Sequence, residues 1–215
     1  GCHAGRSAAE WTTVGSTEQT REGEAWKPVR GASGWTALAV ILFVSVTLYR
    51  FQPVLETGLG ESVPIAVYLQ QEELSVWQSI TEADLVYEVW LVSRNARALL
   101  AQPLDFFDGL HCTPFERSVT LGIPMVAMGV IAVPFSLFTN NPVLVYNLVL
   151  ISLSLLACFA MYLLVRSWTG VPAAGIVAGL LFGFSQVRLG GIMHPSQFDD
   201  LWTVFALFFA VRLFA

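Results

Sequence analysis

Apolar residues gather in four blocks along the chain: Trp35 to Phe51, Val143 to Val165, Val171 to Val187, and Leu201 to Ala215, the last interrupted only by Arg212. A helix needs about 17 to 25 such residues to cross the hydrocarbon core of a bilayer, so the first three blocks qualify as spans. A fifth stretch, Leu121 to Phe138, is also apolar but holds Pro124 and Pro134. Each proline removes a backbone donor and disfavours an unbroken helix. Between the first and second blocks the polar chain has a helical period of its own over Thr81 to Leu100. Leu85, Val89, Val92, Ala96 and Leu99 fall on one side, and Asp84, Glu88 and Asn95 on another. That pattern predicts an amphipathic helix lying along a membrane surface, at the depth that suits Trp77 and Trp90, with Pro103 stopping it.

Composition agrees with this reading: 55% of residues are hydrophobic and 13% charged, against about a quarter charged in soluble domains. The lipid bilayer is therefore the first partner. A net charge of −5 without a basic run gives no support to a nucleic-acid partner. Cys2, Cys112 and Cys158 have no C-x-x-C or Cys/His spacing, so neither a zinc site nor a disulfide framework is indicated. A chain that opens on Gly1 and stops inside an apolar run reads as a piece of a longer protein.

The predicted fold is all-α: a polytopic membrane helical bundle with a large first extracytoplasmic loop bearing amphipathic juxtamembrane helices. Residues 1–34 are polar and aperiodic, and read as a disordered cytoplasmic tail. Residues 35–51 form the first transmembrane helix, a retained signal anchor, because the tail is too long and polar for a signal peptide. Residues 52–142 form the loop, and 143–215 the remaining transmembrane helices. Arg6, Arg21, Lys27 and Arg30 place the tail in the cytoplasm, while the acidic stretch Gln52 to Ser118 goes outside. Two topologies stand. If Leu121 to Phe138 spans, Arg166 lies outside and His194 inside; if it is re-entrant, Arg166 and Arg212 lie inside and His194 shares a face with Asp84. The basic residues lean slightly towards the second.

The order "EADLVYEVW", "ALLAQPLDFFDG", "NPVLVYN", "YLLVRSWTG" and "LLFGFSQVRLGGIMHPSQFDDLW" resembles the amino-terminal module of bacterial multipass glycosyltransferase-like membrane proteins of the GT-C fold, over roughly Glu82 to Ala215. The resemblance implies inverting transfer of a sugar from a polyprenyl-phosphate-linked donor to a glycan, lipid or protein acceptor. It places the reaction at the outer face of a bacterial inner membrane. It also implies the re-entrant topology, with the catalytic loop carboxylate at Asp84 and the second outer loop at "VRLGGIMHPSQFDD". The pattern departs from the family at Ala83, where glycine is usual, at Arg97, where histidine is frequent nearby, and at Ile123, where an acidic residue is common.

Chemically, a hydroxyl acceptor needs a base and a departing lipid phosphate needs donors or cations. Asp84 is the candidate base. Arg188 and His194 are candidates for the phosphate, with Glu88 and Arg97 as further substrate-binding candidates on the same surface helix. Asp199 and Asp200 are candidates for orienting His194 or for joining Asp84 around a divalent cation, Mg or Mn. No cofactor is required by the residues themselves. Plainer readings stand beside these. Thr81-x-x-Asp84 and Ser196-x-x-Asp199 are both capping-box patterns, Asp200 suits a helix N-terminus, His194 suits an interfacial loop, and Arg166 and Arg212 suit membrane-edge anchors.

Three functional classes follow: a lipid-phosphate-sugar transferase, a transporter, and a non-catalytic assembly partner in cell-envelope glycan or lipid export. The transporter is disfavoured because Trp35 to Tyr49, Val143 to Val165 and Ala173 to Val187 contain no ionisable residue of the kind that marks an ion or substrate path. The small residues Ala173, Gly175, Ala178, Gly179 and Gly183 are expected to pack helices under either remaining reading.

Overall fold

The computed structural model describes residues 32–64, 76–109, 114–185 and 200–214, and every regular element among them is helical. The α-helices are α1 (Ala32–Arg50), α2 (Gln52–Thr57), α3 (Val76–Ala101), α4 (Val126–Ser136), α5 (Pro142–Thr169), α6 (Pro172–Gly183) and α7 (Leu201–Phe214). Short 3₁₀ turns cover Pro103–Asp105 and Ser118–Leu121. The all-α expectation holds. The tail lies outside the described residues as far as residue 31, and α1 starts slightly before Trp35.

The central element is α5, which packs against α1, α3, α4, α6 and α7. Its 28 residues measure about 42 Å at 1.5 Å per residue. The sequence fixes both ends. Asn141 accepts from the N–H groups of Val143 at 2.9 Å and Leu144 at 3.2 Å, and Pro142 occupies the first turn, where a missing N–H costs nothing. Gly170 ends the helix at φ +68°, donating its N–H to the Arg166 carbonyl at 3.0 Å.

α1 runs antiparallel to α5. Thr36, near the start of α1, meets Tyr162 and Arg166 near the end of α5, and Phe43 packs edge-on against Phe159 and Tyr162. α6 returns along the second half of α5. A Cβ on Gly175 would lie 2.8 Å from the Tyr162 carbonyl, and one on Gly179 would lie 2.7 Å from the Cys158 carbonyl and 2.6 Å from the Phe43 ring. Ala39, Phe43, Cys158, Tyr162 and Ile176 thus form one buried cluster joining α1, α5 and α6. Val204 of α7 packs with Ala160 and Leu164 on another side of α5.

The run Asn141 to Asn147 knits the other end of the molecule. Besides capping α5, Asn141 donates to the Gly60 carbonyl at 2.9 Å. Fully buried Asn147 donates to the carbonyls of Leu59 at 2.8 Å and Ser62 at 2.7 Å. Two asparagine amides therefore clamp the turn after α2 onto the first two turns of α5.

Two helices, α1 and α5, are long and apolar enough to cross a membrane. The expected third span is shorter than its hydropathy suggests: α6 has 12 residues, about 18 Å, against about 30 Å of hydrocarbon. Its glycines allow close approach to α5 but weaken the helix, and the helical ladder closes with Phe184 N–H on the Leu180 carbonyl. A Cβ on Gly183 would stand 2.2 Å from Cys158 Sγ. The Leu121 to Phe138 stretch becomes a turn and an 11-residue helix, α4, about 17 Å long with Pro134 inside it. At 11 residues it is shorter than a crossing helix needs, and it continues through Pro134.

Candidate functional site

α3 carries most of the candidate residues in the described chain. It begins at Val76, five residues ahead of the expected start, so Asp84 stands in its third turn. The capping-box reading of Thr81 and Asp84 is thereby corrected, since N-terminal N–H groups are open only in the first turn. Asp84 is exposed and has no polar partner among the described residues.

The expected apolar face is present, with Leu85, Val89, Val92 and Ala96 buried, but Leu99 is only half-buried. The expected polar face is corrected. Glu88 is 6% exposed and Asn95 fully buried. Both are buried because polar groups from other elements receive them: the Tyr146 hydroxyl donates to Glu88 Oε2 at 3.4 Å, and the Asn95 amide donates to the Pro124 carbonyl at 2.7 Å. α3 is therefore embedded against α4 and α5 rather than lying free on a surface.

Arg94 gathers the chain beyond α3. Its guanidinium donates to the carbonyls of Phe106 and Asp108 and to Asn95 Oδ1 at 3.3 Å, and it lies over the Phe106 ring at 5.6 Å. Burial pushes the Arg94 guanidinium below its ordinary value, and the nearby Asp108 and Tyr87 oppose that shift. Asp108 Oδ1 accepts the Arg117 N–H at 3.1 Å, which continues the fold of this segment.

Val86, Trp90 and Arg97 are exposed on α3 and are spaced to lie on one side of a helix. They floor a groove of about 730 Å³ that is also lined by Asp105, Asp108 and Pro142. Arg97 reaches from α3 to the approach of α5, donating to the Asn140 carbonyl at 3.1 Å. At about 1.5 Å per residue, Asp84 and Arg97 are about 20 Å apart along α3 and face different sides, and Glu88 faces away from Arg97. These candidates do not converge. The groove excludes Asp84, and sequence reasoning missed its apolar half: Val86 at i, Trp90 at i+4 and Arg97 at i+11 share one side of a helix, a spacing that could have shown it.

Arg188, His194 and Asp199 lie outside the described residues, as does the Ser196-x-x-Asp199 pattern. Asp200 is exposed and immediately precedes α7, the position that suits a helix N-terminus. Among the described residues no group of three His, Cys, Asp or Glu side chains gathers to hold a metal ion. Compared with protein-family models, curated proteins and solved structures, the chain matches none.

Proposed function

We propose that the chain is a module of a multipass protein of a bacterial inner membrane, with α1 and α5 crossing in opposite senses and α3 and α4 in the extracytoplasmic half. Its amino-terminal tail faces the cytoplasm. The antiparallel pair α1 and α5 supports this, because it keeps Arg166 beside Thr36 at the amino-terminal end of α1, so that a basic residue of α5 falls on the side the positive residues before α1 assign to the cytoplasm. α4 is short enough to stay on one side.

Within that frame we propose transfer of a sugar from a polyprenyl-phosphate donor to an acceptor hydroxyl, with Asp84 as general base. The observation that carries this is an exposed carboxylate in the third turn of α3 that neither caps the helix nor bonds a described neighbour. A base in that state can accept the acceptor's proton as the hydroxyl attacks the anomeric carbon, while the lipid phosphate departs from the opposite face. Glu88 and Arg97 are assigned to packing and to the groove rather than to this site. Arg188 and His194 remain the proposed groups for the departing phosphate. Mg or Mn, if bound, would offset phosphate charge.

A second reading, the non-catalytic assembly partner, draws on the structural use of Glu88, Asn141 and Asn147. Sugar transfer by the full-length protein, with Asp84 replaced by Asn, separates the two. A general base loses about 10²- to 10⁴-fold in rate. Unchanged transfer by the variant sinks the base assignment. No transfer by the wild type from any polyprenyl-phosphate sugar leaves the assembly role.

A further inference from the structure

We propose that the groove along α3 binds a phospholipid with a primary-ammonium zwitterionic headgroup, of the phosphatidylethanolamine class, with its phosphate on Arg97, its ammonium on Asp105 and one acyl chain along Val86 and Trp90. The inference rests on the reading of α5 as a membrane span, and not on any sugar-transfer activity.

The order of polarity along the groove carries it. Arg97 is level with Asn140, just ahead of α5, whereas Glu88 is level with Tyr146, inside α5. Moving from Arg97 back towards Val86 therefore follows α5 from its end into its length. Along that direction the groove-lining residues of α3 run from Arg97 through Arg94 and Ser93 to Trp90 and then Val86, while Asp105 follows the carboxy-terminal end of α3, the end nearer Arg97. A lipid in one leaflet has the same sequence, headgroup first and chain after. Val86 is 65% exposed and Trp90 38%, so an apolar floor is open where a chain would lie. An indole at the junction of polar and apolar zones suits both.

The charges select the headgroup. Arg97 has spent one hydrogen bond on a backbone carbonyl and pairs with no carboxylate among the described residues, leaving donors for a phosphodiester. Arg94 is committed to the carbonyls of Phe106 and Asp108. Asp105 is exposed in the same lining and has no side-chain partner among the described residues. A ligand with an anion and a cation a short link apart satisfies both charges at once. An anionic headgroup leaves Asp105 unmatched and adds repulsion, and a quaternary ammonium offers that carboxylate no N–H.

The test is native mass spectrometry of the full chain in a nonionic detergent, with phosphatidylethanolamine, phosphatidylglycerol and phosphatidylcholine of equal chain length supplied separately. The expected result is one phosphatidylethanolamine retained about tenfold more tightly than either other lipid. Arg97→Gln weakens all three lipids, while Asp105→Asn abolishes the preference over phosphatidylglycerol. Equal retention of the three lipids by the wild type, or an unchanged preference in Asp105→Asn, overturns the proposal. Should Arg97→Gln fail to fold, the exposed Asp105 variant decides alone. Carbonate extraction of the source membranes separates this from the membrane reading. A chain that stays in the pellet but shows no lipid preference lacks the headgroup site only, and a chain released to the supernatant lacks both.

Discussion

Arg166 donates to the Thr36 hydroxyl at 3.0 Å, joining the last turns of α5 to the first turns of α1. The same guanidinium donates to the Tyr162 hydroxyl at 2.9 Å and lies over its ring at 5.6 Å. Both helices are thereby fixed in opposite directions at one end, while the clamps of Asn141 and Asn147 on the turn after α2 fix the other. Arg166→Gln should lower stability by about 1 to 2 kcal/mol, as expected for part-buried hydrogen bonds from a charged donor. Thermal unfolding in detergent checks it, with Trp168→Phe, an exposed neighbour, expected to change little.

Asn147 is the stronger clamp because its amide donates twice from a fully buried position. Asn147→Asp replaces that donor with an acceptor facing two carbonyls, and should cost about 2 kcal/mol or more. Limited proteolysis should then cut near Leu59 to Ser62 while α5 stays intact. If cleavage is unchanged, the two bonds do not hold this turn.

Glu88 and Tyr146 form a buried pair between α3 and α5. Tyr146→Phe deletes a donor to the carboxylate and should destabilise by about 1 to 3 kcal/mol. Glu88→Gln keeps the shape and an acceptor oxygen and should cost less. A double-mutant cycle measures the coupling; a value near zero would return Glu88 to the substrate-binding role expected from its place on α3.

Gly183 has no room for a side chain against Cys158. Gly183→Ala should destabilise by about 1 to 3 kcal/mol through overpacking. Cys158→Ala in the same chain should recover much of the loss by removing the sulfur it strikes. Equal losses in the single and double variants would mean that Cys158 is not the obstruction.

Much of this arrangement is legible in the residue pattern, and the remainder has identifiable causes. The apolar block that opens at Val143 finds the start of α5 within a residue, and Pro124 lies just ahead of α4, although Pro134 is held inside it. Hydropathy ran past the true end of α6 because it records that Gly183 and Phe184 are apolar, not that glycines weaken a helix they also help to pack. Glu88 and Asn95 were placed on a polar face because their receiving groups, Tyr146 and Pro124, are 58 and 29 positions away in the chain. A helical period cannot carry information about partners that distant. For Asp84 the local pattern misled in the other direction: Thr81-x-x-Asp84 matches a cap, yet the helix had already begun at Val76.

The central proposal is that α1 and α5 cross the membrane in opposite senses, with the end of α2 outside and the end of α5 inside. It is tested most directly by labelling single cysteines with a membrane-impermeant maleimide on whole cells, before and after permeabilisation. Cys2 and Cys112 are replaced, and Cys158 stays because it is fully buried. Exposed Glu56 and Trp168 each become the reporting cysteine in separate chains. The position 56 cysteine is expected to be labelled on intact cells and the position 168 cysteine only after permeabilisation. Labelling of both from the same side, or of position 168 alone from outside, would contradict the proposal.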